Sequence, residues 1–428
     1  EGERVATASE DRTVRIWRRD QPRITKILRG HQGPLVAASF DAEGERVLTA
    51  SLDGTARLWS VDGEASPIVF RHGQELIFTA FETPGNRIVT ASEASIRIWR
   101  ADGTGEPLTI ATEGPGFDAI ALAESGIATA TWDGQLRIWQ LEQGAKAMPD
   151  SPVELGRLES AVLALAWDPR GRRLAAAAQD GSVHIWPSVS EPAQVLGRHQ
   201  GAVEKVAFSP NGRSLVSSGK DNAARVWRLD GSREPMTLRG HQRAVRFADF
   251  SPNASQVATA SDDDTVRVWQ LDQLDTPRAL TWHRDDVTVV RFSPDGRLLV
   301  SASKDGAALL WRLDGSGEPL VLWHRDAHGV PARVTAAEFS PEGTHLVTAS
   351  LDHTARIWLI DTATLRGEIA ATVQGCLDAE FRRSYLGETE AQARRAFARC
   401  AGQNSLTRRP AADGDGIQSS PSAPPGDS

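Results

Sequence analysis

Val287-Thr288-Val289-Val290-Arg291-Phe292-Ser293-Pro294-Asp295-Gly296 reads as a β-branched and aromatic strand running into a tight turn. Arg297 to Ser303 then makes a second strand, Lys304-Asp305-Gly306 a turn, and Ala307 to Leu313 a third strand carrying Trp311. Asp314-Gly315 follows, where glycine tolerates the positive φ of a tight hairpin, and leads into a fourth strand. The same Asp-Gly turn recurs at Asp62-Gly63, Asp102-Gly103 and Asp230-Gly231.

Outward from this unit, an apolar-apolar-Trp ending or a close variant recurs at Trp17, Trp59, Trp99, Trp139, Trp186, Trp227, Trp269, Trp311 and Trp358, at intervals of 42, 40, 40, 47, 41, 42, 42 and 47 residues. That spacing suits a four-stranded sheet repeated along the chain. The strands are mostly continuous apolar runs rather than clean alternations, so both faces of each sheet must be covered, as they are when blades stack around an axis. The expected fold is all-β, a β-propeller of about eight four-stranded blades with a range of seven to nine.

Nine Trp endings exceed the usual range of about 4 to 8 blades, and the first unit starts at its second strand, Glu3 to Ser9, with no first strand before it. The expected partition is an incomplete blade at 1–28 and a propeller at 29–374. After Cys376 the period stops. Leu377 to Leu386 reads as a short helix closed by Gly387, and Thr389 with Gln392 caps a second from Glu390 to Cys400, giving a helical pair at 375–401. Residues 402–428 are rich in Pro, Gly, Ser and Asp and are expected to be disordered.

Composition excludes several roles. A net charge of -8 opposes a phosphate-backbone footprint, so no nucleic acid is expected. No apolar run approaches the ~18 residues of a membrane span, and no leader is visible, so no membrane association is expected. Two cysteines, Cys376 and Cys400, make no disulfide framework and suit a reducing cytoplasmic setting as free thiols. The chain opens at Glu1 without methionine, so its start reads as a cut end with more sequence upstream.

Gly-His at the start of a unit, Ser or Thr in its second strand, Asp in the following turn and Trp in its third strand together resemble the WD-repeat family over about residues 3 to 374. The resemblance implies a buried hydrogen-bonded tetrad. By position it comprises His31, Ser51, Asp53 and Trp59; His241, Ser261, Asp263 and Trp269; His283, Ser303, Asp305 and Trp311; and His328, Ser350, Asp352 and Trp358. Other units are partial: His199, Asp221 and Trp227 meet Gly219 where a hydroxyl is expected, His72, Ser92 and Trp99 lack the Asp, and the Trp139 and Trp186 units lack the His. The Asp that gives the family its name is absent after each Trp.

Ser, His and Asp recurring together suggest a hydrolase triad, but a nucleophile is needed once and these recur at a fixed period, so no catalytic residue and no enzyme is expected. His324 and His328 flank Asp326 at metal-ligand spacing, yet they lie in a loop ending Val330-Pro331, and no metal is expected. Gly315-Ser316-Gly317 leads into another strand instead of a helix, so no nucleotide and no other cofactor is expected. Arg two residues before Trp, at Arg15, Arg57, Arg97, Arg137, Arg225, Arg267 and Arg356, shares the face of the Trp and reads as packing.

Function is expected on the loops, over protein or peptide partners. Residues just before the tetrad Asp (Trp132, Lys220, Asp262, Lys304) and near the tetrad His (Gln32, Gln200, Arg243, Arg284) should share one ring face, with Trp282 and Trp323 nearby. Trp beside Arg and Lys is the composition of an interface anchor. The phrases 227–236 and 311–320, with the Cys376 to Glu388 tail, resemble bacterial multidomain WD-repeat proteins. That resemblance implies a C-terminal sensor or scaffold module behind a STAND-type NTPase or a serine/threonine kinase.

Overall fold

The computed structural model describes residues 4–8, 14–18 and 23–360, except 62–65, 83–86, 112–115, 124–125, 141–150, 232–233 and 327. Among them there are eight four-stranded antiparallel sheets, one two-stranded sheet, and no helix. The unit read from 287 onward folds as expected, as Val287–Phe292, Leu298–Ser303, Ala307–Arg312 and Leu320–Trp323, called strands a to d. Blades 1 to 7 span 35–71, 78–111, 117–157, 162–198, 203–239, 245–280 and 287–323.

Blade 8 takes its strands a to c from Val334–Phe339, His345–Ser350 and Ala355–Leu359, and its strand d from Arg23–Leu28 at the other end of the chain. Placing 1–28 together as an incomplete blade is therefore corrected: residues 23–28 close the ring. The physical reason is that a blade left with an unpaired third strand would expose a row of N–H and C=O groups, and pairing the two ends of the repeat removes it. Thr335 Oγ1 also donates to the Leu35 carbonyl at 2.8 Å, joining blade 8 to blade 1. Eight of the nine Trp endings thus belong to the ring. The ninth, Trp17, lies on Val14–Arg18, which pairs with Arg4–Ala8 in a two-stranded sheet belonging mostly to a second compact unit. The helical pair and the tail, with Cys376 and Cys400, lie outside the described residues.

Strand a explains how the ring packs. In blades 1, 5, 6, 7 and 8 a β-bulge follows its first residue, so the first and fourth residues, and outside blade 5 the sixth, are buried, while the second, third and fifth keep some exposure. The first strands of neighbouring blades touch one another around the ring, so they line its axis. The core is spread between blades: Val287, Val290, Leu299, Leu309 and Trp311 of blade 7 pack on Ala258, Ala260, Val266 and Val268 of blade 6. Val47 and Trp59 of blade 1 likewise pack on Val347, Ala349 and Ile357 of blade 8. Each blade buries its faces only against its neighbours.

Candidate functional site

The polar skeleton comes first, because it positions the loops. In blade 7 the Trp311 indole N–H donates to Ser301 Oγ at 2.8 Å, His283 Nε2 lies 2.8 Å from the same hydroxyl, and His283 Nδ1 lies 2.9 Å from Asp305 Oδ2. Carboxylate, imidazole, hydroxyl and indole form one chain in which each buried polar group has a partner. Blades 1, 5 and 6 repeat it through His31, Thr49, Asp53 and Trp59, then His199, Ser217, Asp221 and Trp227, then His241, Thr259, Asp263 and Trp269.

Two expectations about the hydroxyl are corrected here. The central hydroxyl is Thr49, Thr259, Ser301 or Thr348, two residues before the expected Ser51, Ser261, Ser303 or Ser350. Alternate strand residues share a face, so both hydroxyls point the same way, but only the earlier one lies deep enough to reach the indole. The later Ser stands at the turn: Ser303 Oγ accepts the Asp305 N–H at 3.1 Å and donates to the Asp285 carbonyl at 3.0 Å. For the same reason Gly219 removes no tetrad hydroxyl, since Ser217 supplies it.

In blade 8 the histidine is His324, not His328: its Nδ1 lies 3.1 Å from Asp352 and its Nε2 2.6 Å from Thr348. The loop 325–331 closes on itself through a bridge between Arg325 and Pro331 and an Asp326 N–H bond to the Val330 carbonyl at 2.9 Å, which leaves His328 exposed. With both ring nitrogens engaged, His324 does not converge with His328.

Burial pulls His324 down despite Asp352. Burial likewise lowers His31, while burial raises Asp53 less than bonds from Thr55, the Gln32 N–H and His31 lower it, leaving it at about 2. These histidines are therefore neutral and donate from Nδ1 to an ionised carboxylate. Arg225 adds a 2.7 Å ion pair to Asp221, and Arg356 one of 2.8 Å to Asp352.

The remaining blades lose parts of the chain. His72 bonds Thr90 through Nδ1 at 2.9 Å and Ser92 and Ser95 through Nε2, with no carboxylate. Trp139 retains its bond to Thr129 at 3.2 Å without a histidine. In blade 4 the hydroxyl position is Ala176, and the buried Trp186 indole N–H has no partner.

The turns between strands b and c and the loops entering strand a share one face of the ring, as antiparallel a-to-d order requires. Trp132 is 55% exposed there, and Lys220, Lys304, Gln32, Gln200, Arg243 and Arg284 are exposed too. Gln32, Gln200 and Arg284 give their backbone N–H groups to the tetrad carboxylates at 2.8 to 3.1 Å. Their side chains stand on a rigid base.

Asp262 is corrected from the exposed set: it is 7% exposed and accepts Arg246 Nε through both oxygens at 2.8 and 2.9 Å. Sequence reasoning passed over Leu52 and Leu351, which precede Asp53 and Asp352 and are 36% and 39% exposed. Their place before the turn Asp, shared with Trp132, was the available signal.

Trp282, 45% exposed, stands where blades 1 and 6 have glycine. At Gly240 φ is +150° and an added Cβ would meet Arg267 Nη1 at 2.9 Å. Blade 7 has Leu309 in place of that arginine, which opens the position to a side chain. Trp323, 39% exposed, lies 4.8 Å beneath the Arg325 guanidinium. Asp264, Asp285 and Asp286 bring one oxygen each within 4.8 Å, but Asp286 already pairs with Lys304 at 2.7 Å and Arg243 at 3.5 Å. No helix among the described residues is long and apolar enough to cross a membrane.

The family model described as "WD domain, G-beta repeat" matches residues 1–18, 22–60, 154–187, 190–228, 232–270, 275–312 and 321–358, more than half of the chain. The unmatched stretch holds blade 2 and most of blade 3, where the tetrads are incomplete. Telomerase protein component 1 of Mus musculus is 25% identical over 204 residues, 43% of this chain and 8% of that protein. Coronin-7 of Mus musculus is 30% identical over 128 residues, 28% of this chain and 13% of that protein. The chain thus spans a small part of the length of these relatives. The crystal structure of the computationally designed Ika8 protein aligns with a TM-score of 0.64 at 25% identity, over 78% of this chain and 98% of that one.

Proposed function

Because the chain belongs to the WD40 family of G-beta repeats, whose propellers are typically non-catalytic scaffolds for protein partners, we propose that it binds a protein partner across the face bearing the b–c turns. The observation that carries this reading is Trp132, a large apolar side chain 55% exposed on a turn pinned to a stacked ring, with Leu52 and Leu351 at the same turn position. An anchor on a rigid element loses little conformational entropy on binding. Arg243 and Arg284 supply exposed cations on the same face.

The test is capture of native partners by the wild-type chain and by a triple variant, Trp132→Ala with Arg243→Ala and Arg284→Ala. With circular dichroism unchanged, the variant is expected to lose the captured partner; equal recovery by both would rule out this face.

The wider context proposed is that of a sensor or scaffold module at the C-terminal end of a bacterial multidomain signalling protein in the cytoplasm. It rests on the 227–236 and 311–320 phrases and the Cys376 to Glu388 tail. A Walker-type or kinase domain encoded upstream of Glu1 supports it; neither being encoded leaves a stand-alone scaffold.

A further inference from the structure

Below the rim, the channel wall of blades 5 to 8 carries charge in each first strand. Lys205, Asp249, Arg291 and Glu338 occupy third or fifth positions of strand a, the strand that lines the axis, while the matching positions Ala37, Ala207 and Ala336 are alanine. Phe247 lies among them. The Arg291 guanidinium sits 4.6 Å from its ring centre and 3.3 Å from Asp249 Oδ2. The Lys205 ammonium sits 5.4 Å from the same ring centre.

Among the described residues Lys205 makes no hydrogen bond and no ion pair. The nearby acids bond elsewhere: Glu204 pairs with Lys220 and Arg246, each at 3.3 Å, and Asp249 pairs with Arg291, acting on Lys205 only through its charge. Glu338 takes the Phe40 backbone N–H, and burial pushes its carboxyl up to about 7. Lys205 keeps part of its surface exposed, yet protein surrounds its ammonium, and that burial, with Arg291 adding to it and Asp249 opposing, pulls it down to about 8. A π face compensates an enclosed cation only in part, because it offers no lone pair to the N–H donors.

We propose that the channel wall at Lys205 and Phe247 is a binding site for an organic carboxylate, its oxygens accepting from the Lys205 ammonium and its carbon chain lying on Phe247 and the alanine positions. A small free carboxylate and an acidic side chain of a peptide entering the channel share this chemistry. The peptide source rests on the partner-binding reading above; the free-carboxylate source does not.

The chain has only five lysines, Lys26, Lys146, Lys205, Lys220 and Lys304, so reductive 13C-methylation gives a readable NMR spectrum in the whole protein. The Lys205 signal is the one lost in Lys205→Arg. Glutarate, a blocked tetra-glutamate peptide and its tetra-glutamine counterpart are the probes. Saturable movement of the Lys205 signal is expected with glutarate, the glutamate peptide or both, its titration midpoint rising by about half a unit or more. The glutamine peptide is expected to leave it in place, and Lys205→Met to bind the active probe about tenfold more weakly by calorimetry. Movement with glutarate identifies a free carboxylate as sufficient; movement with the glutamate peptide alone identifies an acidic side chain. A Lys205 signal unmoved by both, or moving no more than those of exposed Lys220 and Lys304, overturns the site. The partner-capture experiment reads the other face residues, so the two readings fail separately.

Discussion

Blades 4 and 5 are neighbours with the same four-stranded plan, yet they are held together differently. In blade 5, Trp227, Ser217, His199, Asp221 and Arg225 form one buried polar chain from the blade's middle to its turn. In blade 4 the second strand is Leu174 followed by four alanines, and Trp186 is fully enclosed with its N–H unpartnered. Both bury the signature indole between blades, so apolar stacking is enough to build a blade. The polar chain adds rigidity and a fixed turn, and it does so at the risk of leaving charges stranded when one link is removed.

The largest expected effect tests that risk. Asp221→Ala leaves the Arg225 guanidinium and the His199 imidazole buried without their carboxylate, and is expected to cost about 3 to 5 kcal/mol in urea denaturation. A loss below about 1 kcal/mol would mean that blade 5 gains no more from its chain than blade 4 does without one.

Blade 2, with an imidazole but no carboxylate, is the intermediate case. Burial, with Arg97 adding to it, pulls the His72 imidazole down from 6.5 to about 4. As pH falls below 6.5 the unfolded chain takes up a proton that the folded ring refuses, so stability drops between 6.5 and 4 and the effect stops growing below that. The contribution is about 3 kcal/mol across the window. Denaturation midpoints of the wild type and His72→Gln at a series of pH values should converge on acidification; parallel curves would show that His72 does not carry it.

Blade 7 separates the two hydroxyls. Ser301→Ala removes the partner of both the Trp311 indole and the His283 imidazole and is expected to cost about 1 to 3 kcal/mol, whereas Ser303→Ala, at the turn, costs about 1 or less. Thermal melts that reverse this order would return the tetrad to Ser303. The smallest effect runs the other way: Ala176→Ser in blade 4 offers the Trp186 N–H an acceptor and is expected to stabilise by about 0.5 to 1.5 kcal/mol. A destabilised variant would show that the alanine strand has no room for oxygen.

Much of this was legible along the chain. The strands of blade 7 fall within a residue of their expected limits because local β-branched runs and Asp-Gly turns set them. The tetrad hydroxyl was legible too, ten residues before the Trp at Thr49, Thr129, Ser217, Thr259, Ser301 and Thr348 and nine before it at Thr90, but a nearer serine on the same strand face drew attention from it. His324 was harder. Its distance of 28 residues from Asp352, against 22 between His283 and Asp305, is explained only once the intervening loop is seen to close on itself.

The sequence by itself determined the repeat, its four strands and its buried tryptophans, because spacing and turn chemistry act over a few residues. Only the tertiary structure decided that Arg23–Leu28 completes the last blade, that Asp262 folds back onto Arg246, and that Lys205, Phe247 and Arg291 meet across three blades. The reason is that closing a ring brings together residues tens to hundreds of positions apart, and no local preference of the chain records which of them will touch.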